Sequence, residues 1–263
     1  MGLLQDRVVL VSGVGPGLGR ETAAAVLREG GRVVAIDMVG DRVAAIAAEL
    51  DPDGERTLTA EVDITSAERC AALPALVDER FGRLDGVVNV AAVDTAVGGL
   101  MDDEVLDDWQ TAAAVNVEGT LRLTRTVVPL LQRTGGGSIV TIASTAFARP
   151  RRTRWNLAYA MSKSALVTST YYLAEELGPD NIRTNTVAPG WKYGPVVEGY
   201  FDGEAARQGV TREELMAPII DELALPHMTT DGDVANAAVF FLSDLARSVS
   251  GQTLFVDSGH VFR

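Results

Sequence analysis

The sequence predicts an α/β fold, a doubly wound parallel sheet of about seven strands with helices on both faces. Two observations carry that expectation. Short β-branched runs bounded by glycine or polar residues alternate with longer amphipathic stretches, the pattern of parallel strands joined by crossover helices. A glycine-rich turn, "SGVGPGLG", directly follows the first such run and opens the first helical stretch. At 263 residues, 47% hydrophobic and 22% charged, the chain is long enough to enclose one large core.

Strands are expected at residues 7–12, 32–37, 57–62, 86–89, 138–142, 183–187 and 253–256. Between the first two, residues 18–29 are rich in good helix formers. Residues 66–81 form a helix opened by Ser66 as capping residue, 104–131 carry apolar spacing for about two helices, and 159–177 form another. Residues 191–225 fall outside the alternation and read as an insertion on the sheet's edge. Within them, Thr211-Arg212-Glu213-Glu214 is a capping-box pattern for a short extra helix. No repeat, low-complexity tract or linker argues for a second domain, so residues 1–263 are expected to form one.

Composition narrows the function. A net charge of -13 repels a phosphate backbone, which excludes nucleic acid as a partner. The longest apolar runs are a few residues, against the roughly 18 to 20 that cross a bilayer. A strand-like run begins at Arg7, where a signal peptide would still be apolar, so a cytoplasmic protein with no membrane partner is expected. Cys70 is the single cysteine and cannot form an internal disulfide. His227 and His260 are far apart, and no metal is expected. Among the 23 basic residues only Lys163 and Lys192 are lysines, which singles out both positions.

The turn places Gly13, Gly15, Gly17 and Gly19 where the backbone can approach a pyrophosphate and the helix start can receive its charge. Asp37 ends the second strand 18 residues past Gly19, where a carboxylate accepts hydrogen bonds from ribose hydroxyls and repels a 2′-phosphate. Pro16 and Met38 supply no compensating cation, which favours NAD over NADP. The alternatives are a structural turn and a turn carboxylate. Leu18-Gly19-Arg20-Glu21 lacks the Lys-Ser/Thr of a nucleotide-hydrolysing loop. In "YAMSK", Tyr159 and Lys163 lie on one helix face, and an ammonium beside a phenol favours the phenolate, a group suited to moving a proton at an alcohol oxygen. A surface pair is the alternative.

With these motifs the chain resembles the short-chain dehydrogenases/reductases, in the single-domain branch of about 250 residues, over nearly its whole length. The family's Thr-Gly-x-x-x-Gly-x-Gly is matched by Ser12, Gly13, Gly17 and Gly19, with Leu18 between the last two. Its Tyr-x-x-x-Lys is Tyr159 and Lys163, its strand-end serine is Ser144 after "SIVTIA", and its helix asparagine is Asn116 in "AVNVEG". Asp63 in "EVDIT" falls at the family's adenine contact with Ile64 beside it, and Pro189-Gly190 follows the sixth strand. The resemblance implies a Rossmann-type sheet, NAD, and hydride transfer between nicotinamide and a secondary alcohol or ketone. It makes Tyr159 the acid/base, and has Lys163 lower its pKa and hold the nicotinamide ribose. Ser144 would bond the substrate oxygen, and Asn116 would keep a water linking Lys163 to solvent. It also implies a homotetramer with the helices around 104–131 and 159–177 at an interface.

Three departures stand out. The family's Asn-Asn-Ala-Gly is Asn89-Val90-Ala91-Ala92, with Asn89 as the asparagine kept for the cofactor. The threonine four residues after the Pro-Gly glycine is Gly194, and backbone groups or Lys192 are candidates to replace its hydroxyl. Ser144 and Tyr159 are 15 apart, about two more than usual in the family, and the added length falls in a loop carrying Arg149, Arg151, Arg152 and Arg154. Those arginines suit an anionic substrate such as a carboxylate or coenzyme A thioester, or a solvated loop or subunit contact. Trp191, Tyr193, Tyr200 and Phe201 suit either a pocket for a bulky or cyclic substrate or ordinary packing. Gly199, Gly203 and Gly209 would let that insertion move as a lid, and Asp94 is either a substrate contact or a loop carboxylate. A non-catalytic dinucleotide-binding sensor, an acyl-thioester ketoreductase and a lyase or epimerase with tightly held NAD are the rival readings.

Overall fold

The structure is a computed structural model that describes residues 2–94, 98–150 and 156–262. Along the chain come β1 (Val8–Ser12), α1 (Leu18–Arg28), β2 (Arg32–Asp37), α2 (Gly40–Leu50), β3 (Thr57–Glu61), α3 (Ala67–Phe81) and β4 (Gly86–Asn89). There follow α4 (Val105–Ala112), a π-helical turn (Ala113–Gly119), α5 (Thr120–Thr134), β5 (Gly137–Ile142), α6 (Leu157–Leu177) and β6 (Ile182–Pro189). The remainder is β7 (Lys192–Tyr193), α7 (Pro195–Gln208), α8 (Arg212–Ile220), β8 (Thr229–Thr230), α9 (Asp231–Leu242) and β9 (Thr253–Val256).

The expected seven strands form one parallel sheet in the order β3-β2-β1-β4-β5-β6-β9. Because side chains alternate across a strand, β1 feeds two cores at once: Val9 and Val11 pack with α1 and α9, Val8 and Leu10 with α3 and α5. Burial on both faces explains why its apolar run is continuous rather than alternating. The order reverses between β1 and β4, so the crevice beyond their carboxyl ends is the fold's natural ligand site.

Several boundaries differ from the sequence reading for identifiable reasons. β6 runs on through Ala188 and Pro189, which lack β-branched side chains but pair with β9 at Phe255 and Val256. The stretch 104–131 is α4 and α5 joined through the π-helical turn, with α5 continuing to Thr134. The insertion holds two helices rather than one. α8 begins with the expected box, Glu214 N–H donating to Thr211 Oγ1 at 3.2 Å and Thr211 N–H to Glu214 Oε2 at 2.8 Å. α9 carries no strong amphipathic pattern because Val234, Ala235, Ala238, Val239, Phe241 and Leu242 are all buried. Its start is set by a second capping box, Thr230 with Asp233.

That box places the first turn of α9 beside the glycine turn, so its loss has a defined cost. Thr230→Ala is expected to lower stability by about 1 kcal/mol, read as a reduced urea midpoint at unchanged m-value.

Candidate active site

Ser12, Asp37, Asn89 and Pro189 end β1, β2, β4 and β6, and all lie on the sheet's carboxyl edge. Helices α3, α8 and α9 start under side-chain caps, from Ser66, Thr211 and Thr230; α1 starts at Gly17 with no side-chain cap, as α2, α4, α6 and α7 also do, but α1 alone among these follows a glycine turn at the end of β1. Its first N–H groups are therefore left for an anion. Gly13 (φ 71°) and Gly17 (φ 101°) hold backbone conformations that favour glycine. A Cβ on Gly13 would lie 2.7 Å from the Ala91 backbone. Ser12 Oγ accepts from Val90 N–H at 3.1 Å and Ala91 N–H at 3.3 Å, which fixes the Asn-Val-Ala-Ala segment against the turn. Asn89 donates to Thr124 Oγ1 at 3.1 Å, while its buried Oδ1 has no hydrogen-bond partner among the described residues. Leu18 is buried beneath the turn. These features fit a dinucleotide phosphate cradle: a close backbone approach, an uncapped helix start and an orphaned buried acceptor at one strand end.

At the end of β2, buried Asp37 accepts from Val39 N–H at 2.9 Å and from Arg42 Nη2 at 2.5 Å. Arg42 lies five residues beyond Asp37, outside the positions 16 and 38 at which the sequence suggests a compensating cation. A basic residue in the first turn of the following helix was the available signal. A Cβ on Gly15 would lie 3.6 Å from Arg42 Nε and 3.8 Å from Asp37 Oδ2, so both charged groups border the turn. After β3, Asp63 Oδ1 takes Thr65 N–H and Oγ1–H at 2.8 and 2.7 Å, and the Ile64 carbonyl accepts from Arg122 Nη1 at 3.0 Å. Gly190 N–H donates to Val256 O at 3.0 Å, and a Cβ on Gly190 would strike Asp257 at 2.7 Å.

Tyr159 and Lys163 share one face of α6. Lys163 is 2% exposed, its Nζ donates to Ile142 O at 2.9 Å, and Nζ lies 5.5 Å from the centre of the Tyr159 ring. Burial pushes its pKa down to about 8, with Asp94 acting in the opposite direction. Asn116, fully buried in the π-helical turn, accepts from Val93 N–H at 2.8 Å and donates to Val93 O and Ser162 Oγ, each at 3.0 Å. Ser162, also unforeseen, donates to Tyr159 O at 2.7 Å and so joins Asn116 to the tyrosine's turn of helix. Ser144, two residues past Ile142, accepts from Ala146 N–H at 3.2 Å and opens a short 3₁₀ turn.

Around this cluster, Asp94 accepts from Asn156 Nδ2 at 2.5 Å. Arg149 donates to His260 O at 2.8 Å and to Glu222 Oε2 at 3.2 Å, while Arg151, Arg152 and Arg154 lie outside the described residues. Trp191, Tyr200 and Phe201 stack on one another at centroid distances of 5.4–6.3 Å, and Tyr193 Oη accepts from Arg212 at 2.7 Å. Among the described residues no group of three or more His, Cys, Asp or Glu could hold a metal, and no helix is long and apolar enough to cross a membrane.

A family model described as enoyl-(acyl carrier protein) reductase matches residues 13–260. The short-chain reductase protein NovJ of Streptomyces niveus is 32% identical over 257 residues, covering 97% of this chain and 94% of that protein. The chain belongs to the short-chain dehydrogenase/reductase family. Two solved structures share the architecture of this short-chain dehydrogenase/reductase. L-sorbose reductase from Gluconobacter frateurii, complexed with NADPH and L-sorbose, superposes with a TM-score of 0.91 at 27% identity, with 100% of each chain covered. Carveol dehydrogenase from Mycobacterium avium, in complex with NAD, gives 0.87 at 29% identity, with 99% of each covered. Members of this family are oxidoreductases that use a nicotinamide cofactor, and these two neighbours were solved with different ones.

The lowered pKa of Lys163 has a sign that can be measured. Below pH 8 the folded short-chain dehydrogenase/reductase buries a charged ammonium. Between about 8 and the ordinary value of 10.5 the folded state holds it neutral while the unfolded chain stays protonated. The unfolded state then binds more protons, and stability from this group rises with pH. Urea unfolding at a series of pH values should show the parent gaining stability on Lys163→Met across that window, and a constant difference would contradict the burial argument.

Proposed function

We propose that this short-chain dehydrogenase/reductase is an NAD-dependent oxidoreductase of secondary alcohols and ketones, acting on a bulky or cyclic substrate. The observation that carries this reading is the buried Lys163 ammonium, fixed by Ile142 O at 2.9 Å and 5.5 Å from the Tyr159 ring, on the same sheet edge as an uncapped glycine turn. A bound nicotinamide dinucleotide supplies hydride donation or acceptance at its nicotinamide ring. Ser12, Gly13, Gly17, Leu18 and Gly19 hold the phosphates, Asp37 the adenosine ribose, Asp63 and Ile64 the adenine, and Asn89, Pro189 and Gly190 the remaining edge of the crevice.

Tyr159 Oη gives or takes the proton at the substrate oxygen, and the adjacent ammonium stabilises the phenolate that this requires. Lys163 also holds the nicotinamide ribose. Ser144 Oγ already accepts a backbone N–H, which leaves its own proton for the substrate oxygen. Asn116 spends its amide on Val93 and Ser162, so the water assigned to it by family resemblance falls to the second lone pair of Oδ1. Trp191, Tyr200 and Phe201 pack on one another in the insertion just after β6 and form a cluster of the size that a bulky or cyclic substrate would need beside it. Leu106 on α4 and Met161, Tyr171 and Tyr172 on α6 are large exposed groups, which supports the homotetramer with these helices at an interface.

Asp37 repels a 2′-phosphate in this reading, and its carboxylate offsets the charge of the Arg42 guanidinium that it binds. Titration followed by nicotinamide fluorescence is expected to show NADH binding at least about tenfold more tightly than NADPH. Asp37→Ser, which releases Arg42, should erase or reverse the preference, whereas equal binding by the parent would defeat the assignment. In a screen of secondary alcohols and ketones, Tyr159→Phe is expected to cut turnover by about 10²–10⁴ at unchanged NADH affinity. Turnover that survives the change would remove Tyr159 as the proton carrier.

A further inference from the structure

Lys192 is one of two lysines in the chain, and its side chain is already engaged by Asp231, whose carboxylate lies beside Gly17. Its Nζ lies 2.7 Å from Asp231 Oδ1, with the Asp231 side chain only 6% exposed and that of Lys192 28% exposed. The short β7–β8 ladder, in which Lys192 pairs with Thr229, brings the lysine to the first residue of α9. A buried carboxylate needs a counter-charge, and Lys192 supplies it.

The position of the other carboxylate oxygen connects this pair to the dinucleotide cradle. A Cβ on Gly17, the start of α1, would lie 3.2 Å from Asp231 Oδ2, and a Cβ on Gly194 would lie 2.3 Å from the same atom. The carboxylate therefore sits between the uncapped helix start and Gly194. It also accounts for the glycine at 194, because a side chain there would overlap the Asp231 carboxylate unless that carboxylate left its present position. A hydroxyl donor on residue 194 is thus incompatible with this arrangement, and an ion pair stands beside its place.

We propose that Lys192 is a cofactor-binding cation that engages the diphosphate of a dinucleotide at the α1 start while it remains paired with Asp231, its ammonium having three donors to share. This rests on the dinucleotide reading given under the proposed function. A diphosphate arriving beside Gly17 meets a buried carboxylate a few ångströms away, which opposes it, and an ammonium on the same carboxylate, which attracts it. The two members of the pair consequently act on binding with opposite sign. That is the feature a purely structural ion pair would not have, since breaking such a pair from either side loosens the same contact.

Calorimetric titration with ADP-ribose, which carries the diphosphate but no nicotinamide, tests this without turnover. Lys192→Met and Lys192→Gln are each expected to weaken ADP-ribose binding by at least about tenfold, and NADH binding by the same factor. Asp231→Asn, which keeps the shape and removes the charge, should tighten both, and thermal unfolding of each variant reports whether it is folded. Lys192 variants that bind like the parent, or an Asp231→Asn variant that binds no more tightly, overturn the proposal while leaving the dinucleotide reading in place. A parent that binds neither ADP-ribose nor either reduced dinucleotide overturns that reading itself, and this inference with it.

Discussion

Enclosing the Lys163 ammonium is the constraint around which the site is built. A cation that is 2% exposed has given up almost all its hydration, and one hydrogen bond to a neutral carbonyl returns only part of that energy. The residual cost appears as its lowered pKa. The geometry persists because each neighbour is fixed independently. Ile142 is held by the β5–β6 register, Lys163 by the 21-residue α6, and the start of α6 by the Asn116–Ser162–Tyr159 chain. The π-helical turn fits the same logic, since such turns commonly occur at functional sites and this one carries Asn116 to Val93 beyond β4.

At the other side of the crevice the organising feature is a helix start without a cap. Two buried acids border the glycine turn, Asp37 near Gly15 and Asp231 near Gly17, and each is bound to a cation. Arg42 comes from the helix just after its acid, and Lys192 comes from the far side of the sheet. Placing carboxylates beside a site built to receive phosphates would defeat it unless the cations travelled with them. The two pairs stand at successive glycines of the turn, one near Gly15 and one near Gly17.

How much of this was legible in the sequence depended on how far apart the cooperating residues lie. The central strands show as continuous apolar runs because strands buried on both faces need apolar residues at nearly every position, while the half-exposed edge strands β3 and β9 show through their β-branched and aromatic residues between polar flanks. Tyr159 and Lys163 show through helical spacing, and the glycine turn through its place between strand and helix. The end of β6 did not show, because Ala188 and Pro189 are strand residues only by virtue of β9. α9 stayed hidden because a helix buried nearly all round has no polar face to set its period. Asp231 is 39 residues from Lys192, and Ser162 is 46 from Asn116, so those contacts exist only once the sheet has formed. Arg42, five residues from Asp37, was within reach of a wider search for compensating charge.

The basic loop between Ser144 and Tyr159 acquires a partial answer from its ends. On one side Arg149 spans from the end of β5 to Glu222, past α8, and to the carbonyl of His260 near the C-terminus. The His260 ring, fully enclosed, meets the same Glu222 oxygen at 3.1 Å. On the other side Asn156 bonds Asp94, and Leu157 N–H donates to Gly98 O at 3.1 Å. The loop that separates the two hydroxyl residues is thus moored to the insertion and tail at its start, and to the segment after β4 at its end. An arginine occupied in this way is not a free receptor for an anionic substrate. Its effect is to tie the serine's strand end to Glu222 at the end of the insertion and to the chain's tail at His260.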